Sequence, residues 1–169
     1  MDPGDELVDI VDEDDRVVSV VQRREIREGN LLHRCTYVLV RRSDGRVLVH
    51  RRTETKDVYP GAYDMFAGGV LASGESYDDG ARRELEEELG IAGAPLTPLF
   101  RHRYSGSSGE AWGAVYETVW DGRVIHQESE VAWSDWVTLE ELDAMLDERE
   151  FCLDSREIFA RWRDGRLDP

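Results

Sequence analysis

Glu84, Glu87 and Glu88 stand at i, i+3 and i+4 in the run Arg83-Glu84-Leu85-Glu86-Glu87-Glu88-Leu89-Gly90-Ile91. On a helix that spacing puts all three carboxylates on one face. A helix over Tyr77–Leu89 is expected, because Ser76 can cap it, Asp79 serves as a capping-box analogue and Gly90 suits a left-handed stop. Ala81, Leu85 and Leu89 form its apolar stripe, and Glu84 and Glu88 lie beside that stripe. Carboxylates crowded at the edge of a buried face repel one another, so either some are protonated or a cation sits among them. Oxygen ligands of this kind suit a hard ion, Mg²⁺ or Mn²⁺. The alternative is a solvated helix face laced by ion pairs, since Arg82–Glu86 and Arg83–Glu87 have i,i+4 spacing.

The elements that must position this helix are strands. Leu7–Val11 and Arg16–Val21, joined by Asp12-Glu13-Asp14-Asp15, read as a β-hairpin, and the polar stretch Gln22–Asn30 as a helical turn. Thr36–Val40 and Val47–His50 flank the turn Ser43-Asp44-Gly45. Ala62–Ala67, Leu99–Tyr104, Ala111–Trp120, Val124–His126 and Val131–Val137 are further strand candidates, with a loop at Ser105–Gly109. Thr138 and Glu141 make a capping box for a helix to about Glu148, and a last helix runs over roughly Ser155–Arg163. Strands interspersed with a few helices imply one α/β domain over residues 1–169, a mixed sheet flanked by helices.

Composition narrows the function classes. A formal net charge of −16, from 37 acidic and 21 basic residues, opposes binding of a long nucleic acid. It leaves small phosphate compounds open, because a metal and a few local cations reverse the field inside a cleft. No apolar run reaches the ~20 residues that span a membrane. The acidic opening Met1-Asp2-Pro3-Gly4-Asp5-Glu6 lacks the pattern of a signal peptide, so a cytoplasmic protein is expected. Cys35 and Cys152, far apart and in no metal spacing, read as reduced packing thiols. His33, His50, His102 and His126 share no metal spacing either. Tyr104 and Trp112 flank the Ser105–Gly109 segment, placed to stack on a ring or to fill the core.

Gly69, Glu75, Arg83, Glu84, Leu85, Glu87, Glu88, Gly90 and Ile91 together match every fixed position of G-x5-E-x7-R-E-U-x-E-E-x-G-U, with U aliphatic. This is the Nudix box, and the chain resembles the Nudix hydrolases. The resemblance implies a Nudix fold: a mixed β-sheet sandwiched between helices, here with an added N-terminal β-hairpin. It implies divalent metal held by Glu84, Glu87, Glu88 and the Gly69 carbonyl, with Arg83 orienting a glutamate and Glu75 bracing the loop. Glu84 is the first choice of general base. Some members take the base from a later loop, which makes Glu128 and Glu130 candidates for an extra base or ligand; exposed charge at a strand start is the other reading of both.

Leu32–Tyr37, His50–Lys56 and Tyr59-Pro60-Gly61 extend the match upstream. They resemble the branch that contains isopentenyl-diphosphate isomerase and the YfcD-like hydrolases, the latter over most of the chain. In that branch the R-x3-K pair, here Arg52 and Lys56, contacts diphosphate. Two cations four residues apart beside a turn suit that task, or form an exposed basic strand end. Where the isomerase carries a catalytic Cys and a metal-binding His, this chain has Ala67 and Gly69. The expected activity is therefore Mg²⁺-dependent cleavage of a small organic diphosphate, of the nucleoside-diphosphate-X type or another. A prenyl-diphosphate isomerase and a non-catalytic diphosphate-binding module are the competing readings. A homodimer is compatible with the fold.

Overall fold

The computed structural model describes residues 2–165; Met1 of the acidic opening and residues 166–169 lie outside the described residues. Nine strands and four α-helices occur among them: β1 (Leu7–Val11), β2 (Val17–Gln22), α1 (Arg23–Gly29), β3 (His33–Arg41), β4 (Val47–Arg52), β5 (Tyr63–Asp64), β6 (Phe66–Ala67), α2 (Tyr77–Leu89), β7 (Thr97–Gly106), β8 (Gly109–Val119), β9 (Val131–Val137), α3 (Leu139–Glu148) and α4 (Leu153–Arg163).

β3 is the axis. It runs parallel to β8 from His33↔Ala111 to Arg41↔Val119 and antiparallel to β6 at Val38↔Ala67. β7 extends this layer by pairing antiparallel with β8. β4 joins β3 at Arg41↔Val47 and carries β5 and β9 as antiparallel partners. Alternate residues of β3 point to opposite faces. Cys35, Tyr37 and Leu39 pack in a core with Leu142 of α3 and Ile158 and Phe159 of α4. Val38 and Val40 pack in another with Ala81, Leu85 and Leu89 of α2. A sheet buried on both faces by helices is an α/β/α sandwich, the fold class expected from the sequence.

α2 has the expected limits. Ser76 Oγ accepts from Asp79 N at 3.1 Å, and Gly90 closes the helix at φ 65°. The N-terminal hairpin is present, and the polar stretch after it is a true helix, α1, with Ile26 packed on Val8 and Ile10.

Three expectations are corrected. Val124–His126 is not a strand. The segment instead caps α2: Ile125 N donates to Leu89 O and Gln127 N to Glu88 O, both at 3.0 Å. Carbonyls in the last turn of a helix have no intrahelical donor, and these two amides supply it. Ser105–Gly109 is not an open loop, because β7 and β8 pair to Gly106↔Gly109 and only Ser107 and Ser108 turn. Ala62–Ala67 is split: Tyr63–Asp64 pairs with β4, and Phe66–Ala67 pairs with β3.

Candidate active site

A cavity of about 740 Å³ opens where α2, the end of β4, α1 and the β7–β8 turn meet. Along α2, Glu84 and Glu88 are 9% and 5% exposed, while Glu87 stands out on the rim. Burial raises the pKa of Glu84, opposed by the Arg83 guanidinium. Burial, and then the charge of Glu84, push Glu88 up to about 8. The crowding inferred from helical spacing is therefore real for Glu84 and Glu88, and Glu87 adds a third carboxylate at the mouth.

Arg83 ties the loop to the helix. Its Nε and Nη2 donate to the two oxygens of Glu75 at 2.7 and 2.9 Å, and its Nη1 reaches Glu84 at 2.9 Å and Glu87 at 3.1 Å. Although burial acts the other way, this bidentate pair holds Glu75 below its ordinary pKa. Glu75 also accepts from Ala72 N at 3.0 Å, which closes the turn over Ser73 and Gly74. Asp9 of β1, which the sequence reading did not single out, grips the same turn. Its carboxylate accepts from Ser73 Oγ at 2.6 Å and Gly74 N at 3.0 Å. The N-terminal hairpin is thus a brace for the carboxylate loop.

Two glycines let the loop approach. A Cβ on Gly69 would lie 2.6 Å from Glu84 Oε1, so the missing side chain leaves space beside that carboxylate. The Gly69 carbonyl accepts from Thr36 N at 3.0 Å and keeps its second lone pair. Gly68, outside the motif, donates to Glu88 Oε2 at 3.2 Å, and a Cβ there would stand 1.9 Å from the Thr36 carbonyl oxygen. Backbone cannot yield as a side-chain tip does, so Gly68→Ala is expected to cost about 3 kcal/mol, the upper range for overpacking. Urea unfolding checks this; a midpoint equal to wild type would refute the close approach.

Arg52 and Lys56 line the same cavity as the carboxylates, and Lys56 is near enough for Glu88 and Glu84 to act on its charge. The β4–β9 register slips between Arg51 and Arg52, and such a bulge re-aims a side chain. Arg52 Nε donates to Val58 O at 3.1 Å, and no carboxylate pairs with Arg52 among the described residues. Lys56 pairs with Glu130. Burial and the charge of Arg52 lower the Lys56 pKa. Glu130 lines the cavity, whereas Glu128 is exposed and outside the lining.

Tyr104 lines the cavity and Trp112 does not. Tyr104 OH accepts from Ser108 Oγ at 3.1 Å, and Tyr59 OH bonds the same Ser108, so the 53–61 loop is tied to the β7–β8 turn. Cys35 and Cys152 are free and buried, and both border the cavity. Burial pushes the Cys35 thiol up to about 12, which leaves it un-ionised and inert. His33 alone of the four histidines touches the cavity, and its Nδ1 is bonded to Leu31 O at 2.9 Å.

The residues fit an oxygen-coordinated divalent cation. Among the described residues no three His, Cys, Asp or Glu side chains close a cage by themselves, and Glu84 and Glu87 are both bonded by Arg83. The donor set is nevertheless all hard oxygen: two buried carboxylates, a third on the rim, and space at Gly69 beside Glu84.

Fold and site together describe an α/β/α domain whose carboxylate-lined cavity suits a divalent cation. The family model for the NUDIX domain matches residues 31–161. A Nudix hydrolase of Streptomyces coelicolor is 48% identical over 98% of this chain and 93% of its own length. YfcD of Escherichia coli, also a Nudix hydrolase, is 43% identical over 93% of this chain and 86% of its own. A Deinococcus radiodurans crystal structure superposes with a TM-score of 0.82 at 28% identity, covering 92% of this chain and 98% of that one. The NUDIX domain of Shewanella oneidensis NrtR shares the fold at a TM-score of 0.60 and 16% identity, over 81% of this chain and 88% of that one. The chain belongs to the Nudix family and is a Nudix hydrolase resembling YfcD. No helix among the described residues is long and apolar enough to cross a membrane.

Proposed function

We propose that this protein is a cytoplasmic, Mg²⁺-dependent hydrolase that cleaves the diphosphate linkage of a nucleoside-diphosphate-X or another small organic diphosphate, with Mn²⁺ as an alternative ion. The observation that carries the reading is one cavity lined by buried Glu84 and Glu88 and by Arg52 and Lys56. The carboxylates call for a cation and the cations for an anion; a diphosphate complexed with Mg²⁺ satisfies both walls. The cavity volume suits a nucleotide-sized ligand. The NrtR domain named above was crystallised with ADP ribose, a compound of this class.

Glu84, Glu87, Glu88 and the Gly69 carbonyl would hold the ion, which when bound would supply charge neutralisation for a phosphoanhydride and an acidified water. Arg83 orients Glu84, which is the first choice of base for the attacking water. Glu130 is the second choice, being in the cavity but occupied by Lys56. Arg52 and Lys56 grip the diphosphate. Arg52→Ala is expected to raise KM about tenfold, with a smaller change in kcat, because the grip serves ground and transition states alike. Steady-state kinetics check it; unchanged KM would assign Arg52 to the wall only.

A panel of nucleotide sugars, dinucleotides, coenzyme A and nucleoside triphosphates in ¹⁸O water tests the reaction. The label is expected in a phosphate-containing product. Isomerisation is not expected, because allylic proton transfer needs a donor and an acceptor on opposite faces, and Ala67 offers neither. Interconversion of isopentenyl and dimethylallyl diphosphate, with deuterium entering the prenyl chain and no P–O cleavage, would overturn the hydrolase reading.

A further inference from the structure

We infer that α1 adds a second anion subsite to this cavity, in which Arg23 and Arg27, beside Arg52 and Lys56, receive a phosphate group that the substrate carries in addition to the diphosphate that is cleaved. The inference rests on the hydrolase reading and narrows its substrate class to diphosphates bearing at least one further phosphate.

Arg23 and Arg27 stand at i,i+4 on α1, and both line the same cavity as Arg52, Lys56 and the carboxylates of α2. α1 is fixed in place from beneath by Ile26, buried against Val8 and Ile10 of the hairpin. It precedes residues 31–161, the part matched by the family model.

The four cations crowd one another. Burial, then the charges of Arg23 and Arg52, depress the pKa of Arg27. Their present partners are weak substitutes for a ligand. Arg23 meets Glu6 at 3.1 Å and Arg27 meets the largely exposed Asp57. The rim pair of Arg27 contributes roughly 0–1 kcal/mol, and the Arg23–Glu6 pair is a part-buried contact through one hydrogen bond. A phosphate offers paired, charge-assisted hydrogen bonds to each guanidinium and exchanges readily for these carboxylates. Arg52 and Lys56 suffice for a metal-bound diphosphate, which leaves the two charges of α1 for another anion.

Two compound pairs that differ by one phosphate test this: coenzyme A against 3′-dephospho-coenzyme A, and NADPH against NADH, each with Mg²⁺. The wild-type protein is expected to prefer the extra-phosphate member of at least one pair by tenfold or more in kcat/KM. The double variant R23Q/R27Q is expected to bring that ratio within twofold, chiefly through KM. D57N breaks the rim pair of Arg27 yet keeps Arg27, and it is expected to retain the preference. Equal turnover within both pairs, or a preference that survives R23Q/R27Q, overturns the subsite. So does loss of the preference in D57N, which would make Arg27 an anchor for the 53–61 loop. Circular dichroism and melting of each variant separate loss of binding from loss of fold, and R27Q alone stands in if the double variant does not fold. If none of the four compounds is cleaved, the hydrolase reading fails for them, and calorimetric titration of the same pairs decides the subsite separately. Tighter binding of the phosphorylated member, lost in R23Q/R27Q, sustains it, and equal binding overturns it.

Discussion

Glu88→Gln is expected to lower kcat/KM on the order of a thousandfold, while the metal-free protein melts no lower than wild type. The two halves of this result have one cause. Glu88 is a buried carboxylate beside another, Glu84, and its charge is disfavoured by burial and by that neighbour. Glutamine keeps the shape, keeps an oxygen to accept from Gly68 N, and removes the charge. In the absence of metal the substitution therefore relieves repulsion. In its presence the same charge would be an ion ligand on the proposed reading, and the charge stabilisation an ion supplies to a transition state amounts to several kcal/mol, each ~1.4 kcal/mol being tenfold in rate. A merely structural Glu88 would behave oppositely, losing stability and keeping rate. Kinetics alongside thermal melts with and without Mg²⁺ check the pair of outcomes. A variant within twofold of wild type in rate would place the chemistry elsewhere.

The carboxylate half of the site was legible because it is local. A cap at Ser76, a stop at Gly90 and three glutamates on one face fit within a helix and one turn either side, and helical periodicity carries that information. Arg83 and Glu75 were legible through the motif that links loop to helix, and their bidentate pair is present. What was not legible is what strands separated in sequence bring together. Asp9 reaches the Ser73–Gly74 turn across 64 residues, and no local pattern marks it apart from other acidic residues in an acidic chain. Gly68 falls outside the motif, and its need to be glycine comes from the carbonyl of Thr36 on a neighbouring strand. Arg23 and Arg27 read as surface charge in a polar stretch until the hairpin folds α1 over the cavity. Val124–His126 was misread because apolar β-branched residues suit a strand, yet tertiary contact with the end of α2 decided its backbone pairing.

Removal of divalent ions is expected to abolish turnover completely, with the fold intact, and Mg²⁺ or Mn²⁺ is expected to restore it. The side chains explain why the fold should survive. Arg83 already spans Glu75, Glu84 and Glu87, so the loop and helix have an internal counter-charge when no ion is bound. Arg83 does not reach far enough to neutralise Glu88, whose hydrogen-bonded partner is a neutral amide, Gly68 N. A buried carboxyl whose charged form is disfavoured by burial and by Glu84, with Lys56 opposing them, beside a glycine that leaves room at Glu84, is a group whose ionised form an added ion would favour. Binding to the folded state alone stabilises it by about 2.7 kcal/mol at a hundredfold excess over Kd. The melting temperature should therefore rise on adding Mg²⁺ to chelated protein, and it should rise far less in the Glu88→Gln variant. Chelation by EDTA, far-ultraviolet circular dichroism, thermal melts and back-titration with each ion make up the measurement. Turnover that persists in excess chelator would remove the ion from the reaction. Activity lost together with the circular dichroism signal would make the ion a folding ligand instead. The expected outcome is lost activity, a retained signal and recovery that follows the ion concentration.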